Sequence, residues 1–128
     1  MNKTFLVTAC ILGAISVIAG AFGAHALKNK MPAEAFEIFE TAIKYQFYHV
    51  FALLTVGILT QYIPGNLITW SGRLFITGII LFCCSLYLLA YFKTVDNQKM
   101  NWLGAITPFG GLCFIAGWIV IAIAVLKR

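Results

Sequence analysis

The sequence predicts an all-α fold: an integral membrane four-helix bundle, one domain over residues 1–128, with an amphipathic helical segment leading into the second span. Three observations carry this reading. Hydrophobic residues make up 62% of the chain and charged residues only 10%, whereas a water-soluble domain carries about 25% charged residues. Four apolar runs each reach the roughly 17–25 residues needed to cross a bilayer as a helix. The charges that give a formal net of +5 lie between or beside those runs, where lipid headgroups and orientation signals act. No linker, low-complexity tract or nucleic-acid module interrupts the pattern, so lipid is the expected partner and nucleic acid is not.

The first span, approximately residues 5–26, contains no charge from Phe5 to Ala24. It ends in "GAFGAHALK", where Ala24-His25-Ala26 has the small-x-small form of an export-signal cleavage site. A signal peptide has a shorter apolar region, of roughly 7–15 residues. His25 is therefore expected at the exit of a membrane helix, with Lys28 and Lys30 in headgroups or water.

The next stretch, "PAEAFEIFETAIKYQFYHV", leads into the second span, approximately residues 45–63. Pro32 suits the first turn of a helix, and Glu34 and Glu37 suit the positive end of its dipole. Phe36, Phe39, Ile43, Phe47 and Val50 repeat at three- and four-residue steps and predict one apolar face. Glu37, Thr41, Lys44 and Tyr48 fall on another side. Glu40 and Lys44 have the spacing of a helical ion pair. The segment either lies on the membrane surface and bends, or runs straight into the span.

Pro64-Gly65-Asn66 is turn chemistry, flanked by Tyr62 and Trp70 as interfacial anchors. The third span, approximately 71–92, is uncharged from Leu74 to Phe92. A short polar loop, "KTVDNQKMNW", precedes the fourth, approximately 103–126. There "TPFGG" admits two readings: Thr107 caps a helix starting at Pro108, or Pro108 kinks a helix that starts near Trp102. Cys10, Cys83, Cys84 and Cys113 all fall inside spans and lack metal-ligand spacing, so they are expected as free thiols.

With four spans both termini share a side. Lys3, Arg73, Lys127, Arg128 and the amino terminus on that side balance Lys28, Lys30, Lys44, Lys93 and Lys99 on the other. Because Arg73, Lys127 and Arg128 lie closest to span ends, the termini are expected inside. Small residues mark close packing: Ala9, Gly13, Ser16, Gly20 and Ala24 form a stripe on the first span, and Gly110, Gly117 and Ala124 recur on the fourth. Lipid provides no hydrophobic drive for helix pairing, so small residues that admit close backbones take over. Gly13, Gly20, Gly23, Gly110, Gly111 and Gly117 are the expected packing positions, and the first and fourth spans the expected close pair.

The residues that could carry chemistry are sparse. His25, Thr41, Tyr45, Gln46, His49, Ser85 and Tyr87 form a candidate polar intramembrane cluster, with Thr107 beside it. Polar groups at this depth face the bundle and mark a function. His25 and His49 flank the first loop and so could approach each other. Three readings follow in order of preference: a structural hydrogen-bonded lock, a proton- or solute-handling site, and a metal site of His25 and His49 with Glu37 or Glu40. The only aspartate is Asp96, in a loop, so no Ser-His-Asp set exists. No paired carboxylates lie in the bilayer, and no glycine-rich phosphate loop follows a strand. No catalytic residue, metal or cofactor is expected, and the chain is not expected to be an enzyme.

"GAFGAHALK" at 20–28, "FETAIKYQFYH" at 39–49, "CSLYLLA" at 84–90 and "ITPFGG" at 106–111 occur together in order. On these motifs the chain resembles the YgdD/YwdK-type family of small four-helix bacterial membrane proteins, a domain of unknown function. The resemblance covers nearly the whole chain. It implies a multi-pass protein of the bacterial cytoplasmic membrane and carries no established activity. The positions it marks are Gly20, Gly23, His25, Thr41, Tyr45, Gln46, His49, Ser85, Tyr87, Pro108 and Gly111. Cys84 departs from it, standing where a small residue, commonly glycine, is expected. The expected role is structural or interactive. The alternative is a small homo-oligomeric channel or transporter with His25 and His49 lining a polar cavity; one slender bundle has little interior volume, so association into a homo-oligomer is expected.

Overall fold

A computed structural model describes residues 1–128 and contains helices and turns only. Helix α1 (Lys3–Phe22) continues through a π turn, Gly23–Leu27. Helix α2 is Ala33–Leu59. Helices α3 (Asn66–Gly78) and α4 (Ser85–Thr94) are joined through a π segment, Ile79–Cys84, into one rod. A 3₁₀ segment, Gln98–Ala105, leads into α5 (Thr107–Leu126). Four rods, Lys3–Leu27, Ala33–Leu59, Asn66–Thr94 and Gln98–Leu126, are each long and apolar enough to cross a membrane.

The second rod includes the amphipathic segment: α2 runs from Ala33 to Leu59 without a break, so of the two courses left open the segment takes the straight one and forms the first half of the rod. Nothing between Pro32 and Thr60 breaks a helix, and 27 residues make a rod of about 40 Å. Its Glu40–Lys44 pair does not form: the single ion pair in the chain joins Lys93 Nζ to Glu34 Oε1 at 2.9 Å, tying the start of α2 to the end of α4.

The α2 rod and the α3–α4 rod form the central pair, and α1 and α5 flank them. The expected pairing of the first and fourth spans is replaced by α1 on α2 and α5 on α3. Most of the glycines meet large side chains of a neighbouring helix. Cβ atoms added at Gly13, Gly20 and Gly23 would face Val50, Ile43 and Phe39 of α2, the last at 2.7 Å. One added at Gly117 would lie 2.6 Å from the Phe75 ring, and one at Gly110 would collide with the Phe82 backbone. Gly57, Gly72 and Gly78 are equally crowded, against Leu6, Phe5 and Phe114. A glycine stripe thus marks a face that admits a close neighbour, while the matching bulky residue selects which neighbour.

The most buried line of α2 is offset from the stripe of large apolar residues. It runs through Ala35, Ala42, Gln46, His49, Leu53 and Val56; of the stripe, Val50 is buried while Phe36, Phe39, Ile43 and Phe47 are half-buried. In lipid an outward phenylalanine costs nothing, so polar and small residues decide which face turns inward.

Two ends are secured locally. Asn2 caps α1 by accepting from the Phe5 N–H at 3.1 Å, and its own N–H donates to Gly57 O of α2 at 2.9 Å. The turn before α3 places Gly65 at φ 104°, a left-handed conformation that favours glycine.

Candidate functional site

Three polar links cross between helices at the middle of the bundle. Gln46, 3% exposed, sits on the inward line of α2. Its Nε2 donates to Leu12 O of α1 at 3.1 Å, and its Oε1 accepts from Tyr87 Oη of α4 at 2.9 Å. Ser16 Oγ, fully buried, donates to the same Leu12 carbonyl at 2.8 Å. One glutamine side chain therefore bonds both neighbours of α2.

The second link joins α4 to α5. Ser85 Oγ lies 2.7 Å from Thr107 Oγ1 and donates to Phe82 O at 2.9 Å. Thr107 thus bridges helices rather than capping α5. The cap position is Ile106, Pro108 lies in the first turn, and the preceding Gln98–Ala105 is 3₁₀-helical. That bonding satisfies the backbone before α5, which lipid would otherwise leave without partners. Ser85 follows directly on the π segment Ile79–Cys84, where the absence of a side chain at Gly110 lets α5 reach the Phe82 backbone. Cys84 points outward and is exposed, so its departure from the family pattern leaves that approach intact.

The third link joins α2 to α5 through His49, which is 4% exposed. His49 Nδ1 lies 2.7 Å from Tyr45 O, and a carbonyl only accepts, so Nδ1 carries the proton. Nε2 is then the acceptor for Trp118 Nε1–H at 3.3 Å. The imidazole stacks on Phe114 with centroids 3.5 Å apart and planes 7° apart. Phe75 and Trp118 enclose it further. The neutral ring uses both nitrogens within the protein.

His25 does not join this site. Helices α1 and α2 are antiparallel, with Gly20 beside Ile43 and Gly13 beside Val50. His49 is therefore level with Ala14, eleven residues from His25, or roughly 16 Å along the axis. His25 is exposed in the π turn that ends the first rod. Proximity in the loop did not translate into contact because α2 runs back along α1 for several turns before reaching His49. Thr41 also stands apart, donating to Glu37 O of its own helix at 2.9 Å. Tyr45 contributes its carbonyl and a ring packed 4.6 Å from Phe82, while 39% of the residue stays exposed. No three His, Cys, Asp or Glu side chains converge where they could hold one metal ion.

Ser16, Phe114 and Trp118 belong to the site without having been named as polar candidates. Ser16 lies on the small-residue stripe and was visible as packing only. Trp118 sits in an uninterrupted apolar run, and nothing in that run marks its indole as a donor to α2. Every buried side-chain nitrogen and oxygen has a partner. The cavities lie at the periphery, and none is lined by His49, Gln46 or Ser85. Chemically, the arrangement fixes the four rods in register.

Comparison with known proteins gives a consistent picture. A family model described as "Protein of unknown function (DUF423)" matches residues 19–111. A UPF0382 membrane protein of Staphylococcus epidermidis is 40% identical over 125 residues, covering 98% of this chain and 97% of the relative. One of Staphylococcus haemolyticus is 38% identical with the same coverage. The UPF0382 membrane protein YwdK of Bacillus subtilis is 37% identical over 126 residues, 98% of each chain. No solved structure matches.

Proposed function

The chain belongs to the DUF423 family, its relatives are membrane proteins, and on that premise we propose that it is a structural or interaction element of the bacterial cytoplasmic membrane rather than a conduit or a catalyst. It is a small polytopic membrane protein whose four rods each contain a stretch long and apolar enough to cross a bilayer. One observation carries the proposal: every buried side-chain nitrogen and oxygen has a partner within the protein, and Gln46, Tyr87, Ser85 and His49 bond across to neighbouring helices. A transport site needs unsatisfied donors or acceptors facing a wet path, and a catalytic site needs a reactive group that a substrate can reach. Here Gln46, Ser85 and His49 face protein. A rigid bundle of this kind acts through its outer surface, towards lipid, a second copy of itself or another membrane protein. The termini face the cytoplasm in this reading, with Arg73, Lys127 and Arg128 at the inner surface.

The test is a flux measurement in proteoliposomes across a pH series, with proton- and potassium-sensitive dyes. Wild type and His49→Ala are expected to match protein-free vesicles. Flux above that background in wild type, lost in a folded His49→Ala, refutes the proposal.

A further inference from the structure

A groove of about 270 Å³ runs between the end of the first rod and the beginning of α2. Gly20, Gly23 and Ala24 form one side, Phe36, Phe39 and Ile43 the other, and Lys28, Glu40 and Lys44 stand around it. We propose that this groove seats one anionic phospholipid, with its phosphodiester between Lys28 and Lys44 at the level of Phe36 and Phe39 and an acyl chain descending past Gly20 and Ile43.

Depth is the first argument. His49 is level with Ala14, near the middle of the uncharged run from Phe5 to Ala24. Lys44 and Glu40 lie five and nine residues from His49 along α2, hence roughly 8 and 14 Å from the mid-plane. The hydrocarbon half-thickness is about 15 Å. Both charges arise within hydrocarbon depth, where an ionised side chain needs a partner or must reach outward to the headgroups. The protein supplies none: Glu40 and Lys44 do not pair with each other, and the single ion pair is Lys93–Glu34.

Gly20 is the second argument. A Cβ added there would meet nothing nearer than Ile43 Cγ2, at 4.0 Å. At Gly23 the corresponding atom would press into the Phe39 ring at 2.7 Å. Close helix packing thus explains Gly23 but leaves Gly20 without that reason. What its missing side chain does is keep the groove open.

Charge is the third. Lys28 and Lys44 against Glu40 leave one net positive charge around the groove, which the single negative charge of a phosphatidylglycerol neutralises. A zwitterionic lipid leaves that charge uncompensated. The occupant must also be amphipathic, since aromatic and aliphatic side chains line the groove together with ionic ones. A free phosphate satisfies the ionic ones alone.

The experiment is native mass spectrometry of the full chain released from detergent micelles that contain either dioleoyl phosphatidylglycerol or dioleoyl phosphatidylcholine. One phosphatidylglycerol is expected to stay bound to the wild type in preference to phosphatidylcholine. Lys28→Gln/Lys44→Gln is expected to reduce its retention roughly thirtyfold, from about one headgroup interaction lost per lysine. Gly20→Leu fills the groove with all charges intact and is expected to abolish retention. Lys127→Gln/Arg128→Gln, at the opposite membrane face, is expected to retain lipid as wild type does. Circular dichroism melts confirm that each variant is folded. Equal retention of the two lipids, undiminished binding in either groove variant, or equal loss in the Lys127/Arg128 control overturns the proposal. So does displacement by glycerophosphoglycerol, which has the headgroup without chains and would mark a simple anion site.

Discussion

Replacing Gln46 with leucine tests whether the central link holds the bundle together. The substitution keeps an apolar side chain of similar reach and removes two interhelical bonds, to Leu12 O at 3.1 Å and from Tyr87 Oη at 2.9 Å. Hydrogen bonds between membrane helices average about 0.6 kcal/mol each, so the bonds themselves account for roughly 1.2 kcal/mol. The half-buried Tyr87 hydroxyl then loses its acceptor, and an orphaned group costs about 1–3 kcal/mol. Taking the low end, Gln46→Leu should destabilise the fold by about 2 kcal/mol, roughly a thirtyfold change in the folded-to-unfolded ratio. Leu12 O keeps the Ser16 hydroxyl as a donor, so no orphan arises on α1. Tyr87→Phe removes one bond and leaves Gln46 Oε1 unpaired. The double variant removes both members together, and its loss should fall short of the sum of the singles by about 1 kcal/mol. Reversible unfolding in mixed micelles titrated with a denaturing detergent measures all four corners of the cycle. Single losses below about 0.3 kcal/mol, or strictly additive ones, would refute the view that this contact locks the helices.

Gly110→Ala should cost about 1–3 kcal/mol because its Cβ collides with the Phe82 backbone, whereas Gly20→Ala, with open space, should be neutral or stabilising by up to about 1 kcal/mol; the same unfolding assay ranks them, and equal effects would contradict the packing described. His49→Leu loses the Trp118 bond and the Phe114 stack, for about 1–2 kcal/mol in total, and coupling to Trp118→Phe in a double-mutant cycle checks that the two act together. Lys93→Ala removes the pair with Glu34 at an exposed site and should change stability by less than about 1 kcal/mol, an effect that shrinks further in high salt. In a cysteine-free background, Lys30→Cys should react with an impermeant maleimide added outside intact cells and Lys127→Cys should not; the reverse pattern would invert the proposed orientation.

Particular residues show where the amino-acid order sufficed. The uncharged runs containing Ile11, Leu81 and Ile119, the turn at Pro64-Gly65 and the motif "FETAIKYQFYH" identified four rods, the membrane and the family, because hydrocarbon demands long apolar helices whatever surrounds them. Gln46, Tyr87, Ser85 and His49 stood out as polar residues inside spans, and all four take part in bonds between helices. Gly13, Gly110 and Gly117 stood out as contact positions, and all three lie at helix contacts.

Pairing was decided only by the folded chain. The first rod lies on α2 and α5 lies on α3, since Val50 and Phe39 fit one glycine stripe while Phe75 and Phe82 fit the other. His25 and His49, close to the same loop, end up offset by some 16 Å along the bundle axis once α2 runs back along α1. Trp118 became a hydrogen-bond donor and Glu40 an unpaired charge beside a groove, neither marked by its neighbours in sequence. The physical reason is common to all of them. Lipid penalises a polar backbone or a charge wherever it occurs, so those requirements are written locally along the chain. It is indifferent to which apolar faces meet, so that choice rests on shape complementarity between helices and emerges only when all four are assembled.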